Sequence, residues 1–274
     1  MKKVLVVLVL VLVAGFLGCS KNNPIAPSDD PIELGGAQRP DFIDDRPEDV
    51  KAAFMLDFTE PVELDGSSPK AAKYALCIGI SDYSGTANDL NYCDDDANDW
   101  TAFLQGKGYT VTKILDRSAT KTAIESAVNT LASRSVAGNT IFFVYSGHGY
   151  QGNMITTDMY YLSYTWLKNK FANSTSTKMG FTFDACNIGG FKTALAKTGR
   201  VVAVASGTNN YAYDGNSTMK NGVFTYYQMV GWSSYSYFEG DCSYACTKMK
   251  AWGTANGVSC TPSYGDNYSG SLIP

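Results

Sequence analysis

The chain has 274 residues, 45% of them hydrophobic and 18% charged, a globular composition with room for one medium-sized domain and additional segments. Its formal charge of −4 argues against a general nucleic-acid binder, which would carry a basic patch. The charge is unevenly spread: residues 20–69 hold twelve acidic and four basic side chains, whereas 70–274 hold fourteen and sixteen, so the two stretches are different objects.

Residues 1–18 have the make-up of an export signal. Lys2 and Lys3 precede an apolar run from Val4 to Leu17, and Gly18 is small enough for a cleavage site. The run is short of the roughly 20 apolar residues that a membrane span requires. Leu17-Gly18-Cys19 resembles the bacterial lipobox, with Phe16 as a departure. That resemblance implies lipidation of Cys19 and an exported, membrane-anchored bacterial lipoprotein, periplasmic or on the cell surface. Residues 19–69 follow as an acidic segment punctuated by Pro24, Pro27, Pro31, Pro40, Pro47 and Pro61, a tether or pro-segment in composition. Within it, residues 50–58 are apolar enough to dock on a folded domain.

From Lys73 onward strand-like and helix-like patterns alternate. Strands are predicted at 73–80, 109–115, 140–145, 179–184 and 200–205. Helices are predicted at about 93–106, 120–133, 160–171, 187–197, 221–230 and 241–252. In the second of these, Ile124, Val128 and Leu131 recur at helical spacing behind Thr120 or Thr122 as N-cap. Asp94, Asp95 and Asp96 crowd the start of the first, where the helix dipole favours anions. Buried strands alternating with helices predict an α/β domain over 70–274, with a mainly parallel sheet covered on both faces. Cys77 reads as a buried thiol in the first strand. Cys242, Cys246 and Cys260 cluster near the C-terminus, where one bridge to Cys260 is plausible and a zinc site is not, because no His or fourth Cys completes it.

Active sites of such sheets lie beyond the C-terminal strand ends. The chain's one histidine, His148, stands between Gly147 and Gly149 just after the apolar run 141–145. Cys186 stands in Asp184-Ala185-Cys186 just after the strand-like run 180–183. An imidazole can hold a thiol proton and return it to a leaving amine, so the pair suits a cysteine hydrolase. The backbone N–H groups of Gly149 and Cys186 are candidates for an oxyanion hole.

At these residues the sequence resembles the caspase-like cysteine peptidases, and metacaspases most closely, from about Lys73 to Pro274. The motifs are 74–80 as first core strand, Cys93 with Asp96 three residues later, Phe143-Val144-Tyr145-Ser146-Gly147-His148-Gly149, Phe183-Asp184-Ala185-Cys186, 222–226 as the start of a late helix and 269–272 as closing strand. The resemblance implies a three-layer caspase-like sandwich, a His148/Cys186 dyad with Gly149 aiding the oxyanion hole, and an S1 pocket lined by Asp96 and Asp184. Two buried carboxylates there select Arg or Lys before the scissile bond. The expected partner is therefore a peptide or protein with a basic P1 residue.

The departures matter as much. Asn187-Ile188-Gly189 stands where the family usually has His-Ser-Gly. The stretch 150–157 is uncharged, so calcium activation, which the resemblance leaves open, is doubtful, and no metal or other cofactor is called for. Fourteen residues separate Cys186 from Val201, too few for a linker cut into two subunits, so a single-chain monomer is expected. The acidic segment has two readings beside this site: a solvated spacer, or a pro-segment laying Arg39, Arg46 or Lys51 into the acidic pocket. The rival function is a catalytically inactive surface lipoprotein that keeps the fold as a binding or scaffold module.

Overall fold

This computed structural model describes residues 31–66 and 71–274. The expected export signal 1–18, the expected lipidation site Cys19 and the segment boundary at 69–70 lie outside the described residues. Among the described residues no helix is long and apolar enough to cross a membrane.

In chain order the elements are β1 (Ala37–Gln38), α1 (Glu48–Ala52), β2 (Met55–Leu56), β3 (Lys73–Gly79), α2 (Cys93–Gly106), β4 (Thr110–Leu115), α3 (Lys121–Ser133), β5 (Thr140–Ser146), β6 (Gly149–Tyr150), β7 (Asn153–Ile155), β8 (Tyr161–Ser163), α4 (Tyr164–Lys170), β9 (Met179–Asp184), α5 (Gly190–Ala194), β10 (Arg200–Val204), β11 (Tyr213–Asp214), α6 (Val223–Gly231), α7 (Phe238–Ala255) and β12 (Ser263–Asp266). The central sheet has the order β12-β10-β9-β5-β3-β4. Its strands run parallel except β12, which pairs antiparallel with β10.

The apolar runs form parallel strands because both of their faces are covered. Every residue of β5, β9 and β10 is buried. On one face Leu76, Ile78, Ile141, Phe143, Phe181 and Phe183 pack with Ile124, Val128 and Leu131 of α3 and with Trp166 and Phe191. On the other, Ala75, Cys77, Phe142, Val144 and Val201 pack with Trp100 of α2, Phe224 of α6 and Trp252 of α7. Successive side chains thus divide between two cores, the period-2 signature of a strand. Gly180 is required where β9 passes β5, since a Cβ there would lie 2.4 Å from the Phe142 ring.

The helix starts follow local chemistry. The Thr120 hydroxyl accepts the Ala123 N–H at 3.3 Å and caps α3. At α2 the Ser81 hydroxyl, on the loop after β3, accepts the N–H groups of Cys93 and Asp94 at 3.0 and 3.2 Å. That bond ties the acidic first turn of α2 to the C-terminal end of the sheet.

Several expectations need correction. The helix expected from 160 begins at Tyr164, because Tyr161–Ser163 is a strand of a second sheet, ordered β2-β8-β7-β6. Strands of two or three residues carry no readable period. The helix at 187–197 contracts to Gly190–Ala194, and that at 241–252 extends to Phe238–Ala255. The closing strand is Ser263–Asp266 rather than 269–272; Leu272 is nonetheless buried, its N–H held by the Glu239 carboxylate. The six described cysteines are free thiols, so the bridge considered at Cys260 is not formed among them. Cys242 and Cys246 are buried in the α7 core, while Cys260 packs its sulfur against Gly253.

Residues 31–66 lie against the domain. β1 adds antiparallel to β11, and β2 adds parallel to β8. Arg39 and Phe42 are buried, whereas Pro40 and Asp41 between them are exposed.

One core carboxylate is costly. Asp241 of α7 is fully buried, and neither oxygen has a hydrogen bond of good geometry, although the Gln228 amide is its neighbour. Burial raises its pKa well above the usual carboxylate range. The native chain therefore holds a proton that the unfolded chain releases above about pH 4, and stability falls as pH rises from there. Asp241→Asn should leave the melting temperature nearly unchanged at acid pH and raise it increasingly toward pH 8, as thermal melts across that range would show.

Candidate active site

β5 and β9 are neighbours in register, with Ser146 opposite Asp184. His148 and Cys186 therefore leave the sheet at the same end, each two residues past this pair. The two loops touch where Gly149 crosses Cys186: a Cβ on Gly149 would lie 1.9 Å from the Cys186 carbonyl oxygen. The expected oxyanion-hole residues, Gly149 and Cys186, are thus adjacent along their backbones.

The backbone of His148 is fixed by two buried tyrosines. Its N–H donates to the Tyr83 hydroxyl at 2.8 Å, and its carbonyl accepts from the Tyr145 hydroxyl at 2.7 Å. The imidazole lies between Tyr83 and Phe42, at ring-centroid distances of 4.9 and 5.5 Å. Its Nε2 is 2.9 Å from the carbonyl oxygen of Asn88. A carbonyl only accepts, so the proton sits on Nε2 and Nδ1 is left with a free lone pair. Burial lowers the His148 pKa to about 4, against the opposing pull of the Asn88 carbonyl.

The Cys186 thiol accepts the Ala212 N–H at 3.2 Å. Burial raises its pKa to about 11 despite that bond and the nearby Arg39. Among the described residues no hydrogen bond joins His148 to Cys186, so the resting pair is neutral imidazole and neutral thiol. Asn187, at the position of departure from the family pattern, has φ 54°, a left-handed conformation that Asn tolerates well.

Asp96 and Asp184 converge on the Arg39 guanidinium, together with a third acid, Asp214. All three carboxylates are buried, and each is held in place. Asp96 accepts from the Ser146 hydroxyl at 2.6 Å and the Gly222 N–H at 2.9 Å. Asp184 accepts from the Thr225 N–H and hydroxyl, both at 3.0 Å. Asp214 accepts from the Asn91 N–H at 3.4 Å. Gly222 leaves the space they face, since a Cβ there would lie 2.4 Å from Asp184 Oδ2.

The Arg39 side chain fills that space. Its Nε donates to Asp214 at 2.7 Å. Its Nη1 donates to the Asp184 carbonyl oxygen, and its Nη2 reaches Asp96 Oδ2 at 3.4 Å. Asp184 Oδ1 lies 3.4 Å from Nη2 as an ion pair without hydrogen-bond geometry. Burial would lower the Arg39 pKa, but the surrounding carboxylates, Asp184 foremost, hold it well above its ordinary value. One cation does not neutralise three acids. Burial and then the Asp184 charge keep Asp96 well above the usual carboxylate range, and burial raises Asp214 as well.

Arg46 and Lys51, the other basic residues considered for this pocket, are elsewhere: Arg46 pairs with Asp44 at 2.6 Å, and Lys51 with Glu48 at 2.8 Å. Cys93 of the resembling motif is fully buried, its thiol raised far above its ordinary pKa by burial. Asp214, Ser146, Asn88 and Tyr83 were not singled out in the sequence. For Asp214 a signal existed: it is an acid in the long loop beyond the C-terminal end of β10, where sites of parallel sheets collect. For Asn88 none did, because its backbone carbonyl carries the role.

A parallel sheet in a three-layer α/β sandwich, with His and Cys on adjoining strand ends, defines a class of cysteine hydrolase folds. The family model described as caspase domain matches residues 72–229, more than half of the chain, and the chain belongs to that family. A cysteine-peptidase function follows at the level of the family. A protein of Geobacter sulfurreducens of known crystal structure is similar in fold, with a TM-score of 0.54 and 17% identity, over 75% of this chain and 97% of that one. No curated protein matches this sequence.

With residues 31–44 seated, Cys186 should be slow to react with iodoacetamide at neutral pH. Its labelling rate, followed by mass spectrometry, should climb about tenfold per pH unit without a plateau between about pH 7 and 9.

Proposed function

We propose that the chain is a cysteine endopeptidase that hydrolyses peptide bonds after Arg or Lys. The observation that carries this reading is the Arg39 guanidinium held by three buried carboxylates, with its backbone bonded to the same residue as the Cys186 thiol. A buried cavity with surplus negative charge favours a cation, and Asp or Glu would be excluded from it by repulsion and desolvation.

The proposed chemistry assigns each of these residues a step. Nδ1 of His148 takes the thiol proton while Nε2 keeps its own against Asn88. The thiolate attacks the scissile carbonyl carbon, and the Gly149 and Cys186 amides face the resulting oxyanion. The amine leaves with the proton carried by His148, giving a thioester, and water then releases the carboxylic acid and free thiol. These residues need no cofactor for any step. The proposed setting is an exported lipoprotein, monomeric, held to a membrane through lipid on Cys19, with no nucleic-acid partner.

The second reading is a non-catalytic surface lipoprotein. It draws on one observation: His148 and Cys186 are buried and not hydrogen-bonded to each other. Peptide reporters with Arg, Lys or Asp at P1 separate the two. After limited proteolysis that removes the docked segment, the mature chain should cleave the Arg and Lys reporters and spare the Asp reporter. Cys186→Ala and His148→Ala should abolish turnover. Asp184→Asn should cut kcat/KM for the Arg reporter by about a hundredfold, the scale of removing one partner from a buried charge pair. No turnover and no labelling of Cys186 by a substrate-like electrophile would favour the non-catalytic reading.

A further inference from the structure

Residues 36–44 cross the candidate site in the manner of a bound peptide. Ala37 stands opposite Asp214 and Gln38 opposite Tyr213, antiparallel, and the register continues as the Arg39 N–H donates to the Ala212 carbonyl at 3.1 Å. In an antiparallel ladder a residue that donates to its opposite number ordinarily accepts back from it. Here the Ala212 N–H goes instead to the Cys186 thiol. The sulfur thus stands where the Arg39 carbonyl would complete the ladder, which places that carbonyl beside the nucleophile.

The segment is anchored on both sides of this point. Before it, Gly36, at φ 116°, is pressed so close that a Cβ would lie 2.4 Å from the Asp214 carbonyl oxygen and 3.1 Å from Trp252. After it, the Phe42 ring packs on the His148 imidazole. Ile43 exchanges two hydrogen bonds of 2.8 Å with the Asn88 side chain, and Asp44 accepts from the Tyr161 hydroxyl at 2.6 Å. The bond that follows Arg39 leads to proline, as does the bond after Arg46. A proline nitrogen has no N–H, its ring fixes φ, and it crowds the residue before it.

We propose that residues 36–44 are a built-in substrate mimic that is not cut: Arg39 occupies the pocket as a substrate's cation would, and Pro40 in the leaving-group position keeps the Arg39–Pro40 bond intact. This rests on the peptidase reading above. The segment holds the chain inactive by β-strand addition to its own site and leaves only by displacement, not by self-cleavage at Arg39. Replacing Pro40 restores an ordinary leaving group. The thiolate then forms a thioester with the Arg39 carbonyl, residue 40 departs as a free amine with the proton from His148, and water frees the Arg39 carboxylate.

The full chain tests this with three variants. Arg39→Ala empties the pocket; Gly36→Val, which unseats the segment, and Pro40→Ala keep all three carboxylates and Arg39 unsubstituted, which covers the case in which Arg39→Ala does not fold. Benzamidine, a small guanidinium-like cation, should bind the Arg39→Ala chain by calorimetry and bind the parent at least about tenfold more weakly. The Gly36→Val chain should turn over an Arg reporter at least about tenfold faster than the parent. The Pro40→Ala chain should release a fragment ending at Arg39 and expose residue 40 as a new N-terminus, and Cys186→Ala in the same background should stop this. Equal benzamidine affinity, or equal reporter turnover by parent and Gly36→Val with residues 31–44 intact, would overturn the proposal. A Pro40→Ala chain that cleaves reporter yet stays whole would overturn the role of Pro40. If benzamidine discriminates but no variant ever turns over reporter, it is the peptidase reading that falls, and inhibition with it.

Discussion

The described structure turns on a single guanidinium placed among three buried carboxylates. Asp96 comes from the first turn of α2, Asp184 from the end of β9 and Asp214 from β11, so the cluster joins three regions of the chain that no local interaction brings together. Left empty and dry, such a cluster would be strongly self-repelling. Arg39 relieves that repulsion in part and brings the acidic segment into the fold. The same surplus of negative charge that admits Arg39 is what the proposed preference for a basic P1 residue rests on. Stability of the docked segment and the proposed preference for a cation therefore share one electrostatic origin.

Glycine packing sets the geometry around this cluster. Gly149 lets the His148 loop lie on the Cys186 backbone, and Gly222 leaves room for the guanidinium between the acids. Neither position demands a positive φ; what each requires is the absence of a Cβ. The sheet supplies the remaining precision, because β5 and β9 pair without a bulge up to Ser146 and Asp184. Small errors in strand register would separate the two loops by a full residue, so the core that locks the register also locks the chemistry.

Much of this was legible in the sequence. β3, β5, β9 and β10 announced themselves as apolar runs, since burial on both faces removes the polar residues that would blur them, whereas β4, at the sheet edge, keeps Thr110, Thr112 and Lys113 exposed. His148 and Cys186 could be located because strand ends focus function in parallel sheets, whereas Asp96 and Asp184 were reached through the resemblance to the caspase-like peptidases. The second sheet could not, because its strands are too short to show a period, and β2 is recruited from the acidic segment. Asp214 stood in the region where such sites collect, yet nothing local ties it to Asp96, more than a hundred residues earlier. The acidic segment 19–69 read equally as spacer or pro-segment, since its composition is that of a solvated chain. Between Pro31 and Gly66 only a few side chains, Arg39 and Phe42 foremost, bury themselves deeply, and two anchors do not alter a composition. The Asn88 carbonyl was invisible in principle, because any residue type could have provided it.

Asn88 joins two parts of the site. Its backbone carbonyl fixes the tautomer of His148, while its side chain grips both backbone groups of Ile43. The loop that orients the imidazole is thus steadied by whatever chain lies on the leaving-group side. A peptide that offers a backbone N–H and C=O at the same place would steady it equally well, whereas a short ligand that fills only the acidic pocket would not. On the proposed mechanism the imidazole's readiness is in this way coupled to occupancy several residues past the reacting bond, an arrangement that would favour extended chains over small amides by induced fit rather than by added contact area.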